Sequence, residues 1–70
     1  MNAVYGEYHV SVPHNGQHRT AILCVVQLQN GKNKYFLRDF YGWAIDDCRI
    51  VEAAVAQFAN GTARQIEITD

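Results

Sequence analysis

VPHNGQHRTAILCVVQLQ, residues 12–29, decides how this chain folds. It joins an Asn-Gly pair, the strongest short signal for a tight hairpin, to a run that is apolar at almost every position. Upstream, residues 3–12 (AVYGEYHVSV) alternate: Val4, Tyr8, Val10 and Val12 share one face with Gly6, while Tyr5, Glu7, His9 and Ser11 share the other. This is the period of a half-buried strand. Residues 19–29 (RTAILCVVQLQ) are apolar on both faces, as in a central strand. Ile22, Cys24, Val26 and Leu28 form the fuller face; Ala21, Leu23 and Val25 form the other. A second Asn-Gly pair, Asn30-Gly31, leads to a third strand over residues 33–41, NKYFLRDFY.

Side-chain direction has period two in a strand, so the register of each hairpin decides which face of the central strand is buried. A two-residue Asn15-Gly16 turn sets Val10 opposite Ala21 and joins the first strand to the weaker face of the second. A three-residue loop, His14-Asn15-Gly16 with Gly16 as a bulge, sets Tyr8 opposite Ile22 and joins it to the fuller face. Burial favours the bulged loop. In the second hairpin a two-residue turn puts Tyr35 and Leu37 on that same face, whereas the alternative buries Lys34 and Arg38, which is costly. Two turns of identical sequence are therefore expected to differ in geometry.

From Ala44 the period becomes helical. Cys48, Val51, Val55 and Phe58, with Ala54 beside them, make one stripe. Asp46 and Asp47 suit the helix start and Asn60-Gly61 its end. Residues 63–69 (ARQIEIT) alternate again through Ile66 and Ile68. The expected fold class is α+β: one domain over residues 1–70, element order β-β-β-α-β, a mostly antiparallel sheet in the order 3-2-1-4, and one helix on one face. Its fourth strand is expected to run parallel to the first, through a right-handed crossover.

Composition narrows the function. The chain has 70 residues, 49% of them hydrophobic, 19% charged, with a net charge of −1. Neither disorder nor bulk attraction to nucleic acid or anionic membranes is expected. A domain this small buries only about 60% of the surface its unfolded chain exposes, so added support from a partner subunit would help it. No apolar run reaches the roughly 18 residues of a membrane helix, and MNAVYGEYHV lacks the layout of a signal peptide. With only Cys24 and Cys48, a reduced, cytoplasmic protein is the simplest expectation.

Chemistry is thinly represented. His14 and His18 have a spacing useful for zinc on a helix, but here they flank a turn. The remaining ligand types, His9, Cys24 and Cys48, are expected elsewhere, so no metal site is expected. Cys48 near a helix start could be activated, yet no base lies near it in sequence; core packing is the simpler reading. Asp39, Asp46 and Asp47 are explained by capping before catalysis. No phosphate-binding loop, dinucleotide fingerprint, nucleophile elbow or zinc-protease motif is present. Neither an enzyme nor a cofactor is expected.

The unusual stretch is YFLRDFYGW, residues 35–43, which holds five of the eight aromatics. If the helix covers Tyr35 and Leu37, then Leu23, Val25 and Phe36 lie on the far side of the sheet with Arg38 and Phe40, rimmed by Arg19, Lys34 and Glu7. One helix cannot cover both faces, and such a patch has the composition of an interface. Tyr41, Trp43 and Arg38 are of the types that anchor interfaces, although Trp43 and Phe40 also suit a plug at the sheet-to-helix corner. The expected partner is another protein or a second copy, as in a homodimer, met through Leu23, Val25, Phe36, Arg38, Phe40, Tyr41 and Trp43.

In size and style, a tiny compact chain without a catalytic kit, the sequence resembles the anti-CRISPR proteins. That resemblance implies a phage or mobile-element accessory protein that inhibits a host complex by occupying its surface. A second reading rests on element order over residues 4–60: three antiparallel strands backed by a helix resemble the AP2 and integrase-arm DNA-binding domains. It implies a sheet laid in a DNA groove by Arg19, Lys32, Lys34 and Arg38, although six Lys plus Arg in all supply few phosphate contacts. The full β-β-β-α-β order also resembles small HicB-type antitoxin domains.

Overall fold

A computed structural model describes residues 4–14 and 16–66. Three strands, β1 (Val4–His14), β2 (Gln17–Gln27) and β3 (Asn33–Arg38), precede the helix α1 (Cys48–Ala59) and the short β4 (Arg64–Gln65). They form one sheet in the order β3-β2-β1-β4, with α1 on one face. This is the expected α+β fold and strand order.

The first hairpin takes the register that burial alone disfavoured. Val10 pairs with Ala21, Tyr8 with Leu23, and His14 with Gln17, leaving two residues between the strands. The expected bulged loop is therefore incorrect. The second hairpin carries the bulge instead. Gln27 pairs with Asn33, the Leu28 carbonyl accepts from Gly31 N–H (3.1 Å), and Leu28 N–H donates to the Lys32 carbonyl (2.8 Å). Gly31 sits at φ 83°, the left-handed position that such a loop needs, and the Asn30 side chain accepts from Lys32 N–H.

The two turns do differ, with their geometries exchanged relative to expectation. The consequence is confined to β2. Tyr8, Val10, Val12, Tyr35 and Leu37 face the helix as expected, but β2 is turned over between them. Ala21, Leu23 and Val25 now lie in the core beneath Ala54, with Val51, Val55, Ile50 and Phe58 packed around them. Leu23 is 0% exposed. Ile22, Cys24 and Val26, expected beneath the helix, take the opposite face.

Physical reasons for this choice are visible in each hairpin. β2 is apolar on both sides, so turning it over changes little burial. An Asn-Gly pair strongly favours the two-residue turn, and Gly16 at φ 77° fits one. With β2 so placed, a two-residue second turn would drive Lys34 and Arg38 under the helix. The extra loop residue avoids that cost.

The helix begins and ends where its caps predict. The Asp47 carboxylate accepts from Arg49 N–H at 3.0 Å, and Asn60 and Gly61 close the C-terminus. Phe58 meets Tyr8 edge-on at 4.8 Å between ring centroids and Tyr35 at 6.1 Å, closing one end of the core. Cys48, expected in the core, is exposed.

β3 is shorter than expected because the chain turns back at residues 39–43. Ala44 bridges Arg38 in antiparallel fashion, and Ile45 N–H donates to the Leu37 carbonyl at 2.8 Å. This extra reversal changes the direction in which the helix returns the chain. β4 accordingly runs antiparallel to β1, pairing Tyr8 with Gln65 and His9 with Arg64, rather than parallel. Ile68 of the expected fourth strand lies outside the described residues, as does Asn15. Ile45 packs against the core at the sheet-to-helix corner; Trp43, expected as its plug, is 74% exposed.

The register makes a quantitative prediction. Leu23→Ala should lower stability by about 3 kcal/mol, whereas Phe36→Ala should cost less than about 1 kcal/mol. Urea unfolding followed by circular dichroism measures both. A loss at Leu23 below about 1 kcal/mol would place β2 in the other register.

Candidate functional site

The face of the sheet that α1 does not cover is the candidate site. Pairing assembles it row by row: Tyr5, Val26 and Lys34; Glu7, Cys24 and Phe36; His9, Ile22 and Arg38. Phe40 follows, with its ring 5.7 Å from that of His9. Ile22 and Cys24 are buried although no secondary-structure element lies over them, so the flanking side chains cover them. Those flanking rings pay with exposure: Phe36 is 59% and Phe40 57% exposed, and more than half of Tyr5 is open.

A polar cluster sits at the centre. Arg38 Nη2 lies 3.1 Å from Glu7 Oε2, and the Tyr5 hydroxyl donates to that same oxygen at 2.7 Å. The Cys24 thiol is 4.0 Å from it. The Tyr5 hydrogen bond, followed by that from Arg38, holds the Glu7 carboxyl below its usual range. Cys24 and Glu7 together push the Tyr5 phenol well above its ordinary value. The cluster gathers three side chains from two strands, Tyr5 and Glu7 of β1 and Arg38 of β3, over the buried Cys24.

The expected site residues divide. Phe36, Arg38 and Phe40 lie on this open face. Tyr41 and Trp43 are exposed on the loop after β3, where Asp39 accepts from the N–H groups of both (2.9 Å each). Leu23 and Val25 are buried under α1 and present no surface, because β2 is turned over. Ile22, Cys24 and Val26 occupy the places expected for Leu23 and Val25, beside Tyr5, Glu7 and His9 of β1. Among the cations of the alternative reading, Lys34 and Arg38 lie on this face, Lys32 lies in the β2–β3 loop, and Arg19 lies on the projecting end of β2. Among the described residues no three His, Cys, Asp or Glu side chains gather as metal ligands, and His18 is exposed. Among the described residues no helix is long and apolar enough to cross a membrane.

Glu7 supplies a pH test. Its folded-state value is depressed, so its stabilising contribution is complete above the ordinary carboxylate value of about 4.3 and is lost as pH falls through the lower native value. In a carboxyl NMR titration Glu7 should titrate below an ordinary glutamate, and Tyr5→Phe or Arg38→Met should each move it upward. A Glu7 midpoint at or above about 4.3 in the native protein would remove the cluster from this account.

No protein-family model, curated protein or solved structure matches this chain.

Proposed function

We propose that this chain is a non-enzymatic binding module that docks on another protein through its helix-free sheet face. One observation carries the reading: Phe36, Phe40 and Tyr5 stay more than half exposed around a centre whose polar groups already satisfy one another. Rigid aromatic rings surrounding an internally paired polar core can be covered without stranding a charge, which is the composition of an interface core. Lys34 and Arg38 border the rings, while the carboxylates of this region are engaged: Glu7 with Arg38 and Tyr5, Asp39 with its own loop. A second copy of the same face would therefore offer little acid to meet Lys34. An acidic patch on a different protein fits better. Occupying a surface of a host complex, as the resemblance to anti-CRISPR proteins implies, is a role that needs nothing more than such a face. A reducing cytoplasm is the setting this reading assumes for the free thiols Cys24 and Cys48.

A nucleic-acid reading has one observation of its own. Lys34 and Arg38 flank Phe36 along β3, and Asp46, Asp47 and Glu52 lie at or in the helix, away from the sheet face. Aromatic rings between cations can stack on unpaired bases.

Both readings are tested with one variant and one titration. Phe36→Glu should keep the wild-type circular dichroism and melting behaviour yet weaken binding to a purified partner by about a hundredfold or more, as expected for a central aromatic anchor. A labelled single-stranded oligonucleotide should show little binding by anisotropy under the protein reading. Tight binding that falls steeply as salt rises would support the nucleic-acid reading instead. Partner binding indifferent to Phe36→Glu would exclude the open face.

A further inference from the structure

The sheet's edges are treated unequally. On the outer side of β1, Glu7 O accepts from Ile66 N–H (2.8 Å), and Ser11 is met by the Gln57 side chain, which accepts from its N–H at 2.8 Å and donates to its carbonyl. On the outer side of β3, Leu37 O accepts from Ile45 N–H. β2, however, is 11 residues long and β3 only 6, so the Gln17–Ala21 end of β2 projects past the last β3 pair, Ile22 with Arg38. Alternate residues of an antiparallel strand direct their N–H and C=O groups to opposite sides. The bond between Leu28 N–H and Lys32 O puts the even-numbered residues of β2 on the β3 side. The N–H and C=O groups of His18 and Thr20 therefore point past the end of β3, and among the described residues nothing pairs with them.

A groove of about 520 Å³ lies along this edge, within the size range of ligand sites. Val12, Ala21 and Ile45 give it an apolar lining, Phe40 and Tyr41 an aromatic one, and Arg19 a cation. Arg19 has no carboxylate partner among the described residues, and the other charged group of the groove, Asp39, is engaged with Tyr41 and Trp43 N–H.

We propose that this edge captures an extended acidic segment of a partner protein, added as a strand antiparallel to β2 in line with β3. Main-chain bonds to His18 and Thr20 hold it, as in other strand-addition complexes. Ala21 and Arg19 project to the same side of β2, two residues apart. The captured strand therefore carries an apolar residue opposite Ala21 and, two residues later, a carboxylate opposite Arg19. This site shares Phe40 with the open face but does not involve Phe36.

The probe is an acetylated, amidated heptapeptide, Thr-Thr-Val-Thr-Glu-Thr-Thr, titrated into nitrogen-15-labelled protein. The expected result is shifted amide signals at His18, Thr20 and Ala21 with slowed exchange of Thr20 N–H. Replacing the peptide Glu by Lys should weaken binding about tenfold, and Arg19→Glu, at an exposed position, should reverse that preference. Methylating the peptide nitrogens that face Thr20 should abolish the shifts while leaving the protein unaltered. Phe36→Glu should change none of this. Any of four outcomes would overturn the proposal: no shifts at these amides, insensitivity to methylation, loss of binding on Phe36→Glu, or the same shifts appearing with protein concentration alone, which would make a second copy the occupant.

Discussion

A strand pair has no intermediate register. Shifting β1 against β2 by one residue moves every side chain of one strand to the opposite face, and with a single helix available only one face is covered. In this protein Val10 stands opposite Ala21. From that pairing follows the core of Leu23, Val25 and Leu37 beneath Ala54. The same pairing puts Glu7 beside Cys24 and His9 beside Ile22 on the uncovered side, within reach of Arg38. The burial of Leu23 and Val25 and the place of Cys24 in the polar cluster are both downstream of where that one hairpin turns.

Much of the architecture was legible in the chain. Lys34 and Arg38 alternate with Tyr35 and Leu37, so β3 could show the core only one side. β1 declared its side in the same way, through Glu7 and His9 against Val10 and Val12. Asp47 and Asn60-Gly61 marked both ends of α1. β2 carried no such label. Ile22 and Leu23, or Cys24 and Val25, are nearly interchangeable as core residues, so the weight passed from burial to turn chemistry, and the Asn-Gly preference for two residues prevailed. Because both turns exchanged geometry, only β2 was misplaced while its neighbours stayed as read. The direction of β4 was hidden by the reversal at residues 39–45, which depends on a hydrogen bond from Ile45 to Leu37 that no periodicity announces. Trp43 misled for a related reason: its size suggested a plug, but the corner had already been filled by Ile45.

The uncovered face and the free edge solve opposite problems for a domain of 70 residues. Too small to bury both sides of its central strand under secondary structure, it shields Ile22 and Cys24 with neighbouring rings and an ion pair. It protects several edge groups with local devices: a two-residue β4, the Gln57 amide on Ser11, and the backbone of Ile45 on Leu37. Unprotected edges invite pairing with other chains, and among the described residues the end of β2 leaves such groups open.

The register itself is the point on which the account is most directly testable. Residues in the non-hydrogen-bonded pairs of an antiparallel ladder bring their Cα atoms to about 4.5 Å, close enough for strong Hα–Hα nuclear Overhauser effects. The structure predicts such effects between His9 and Ile22 and between Glu7 and Cys24. Effects that instead place Tyr8 opposite Ile22 would return β2 to its other face and contradict the account.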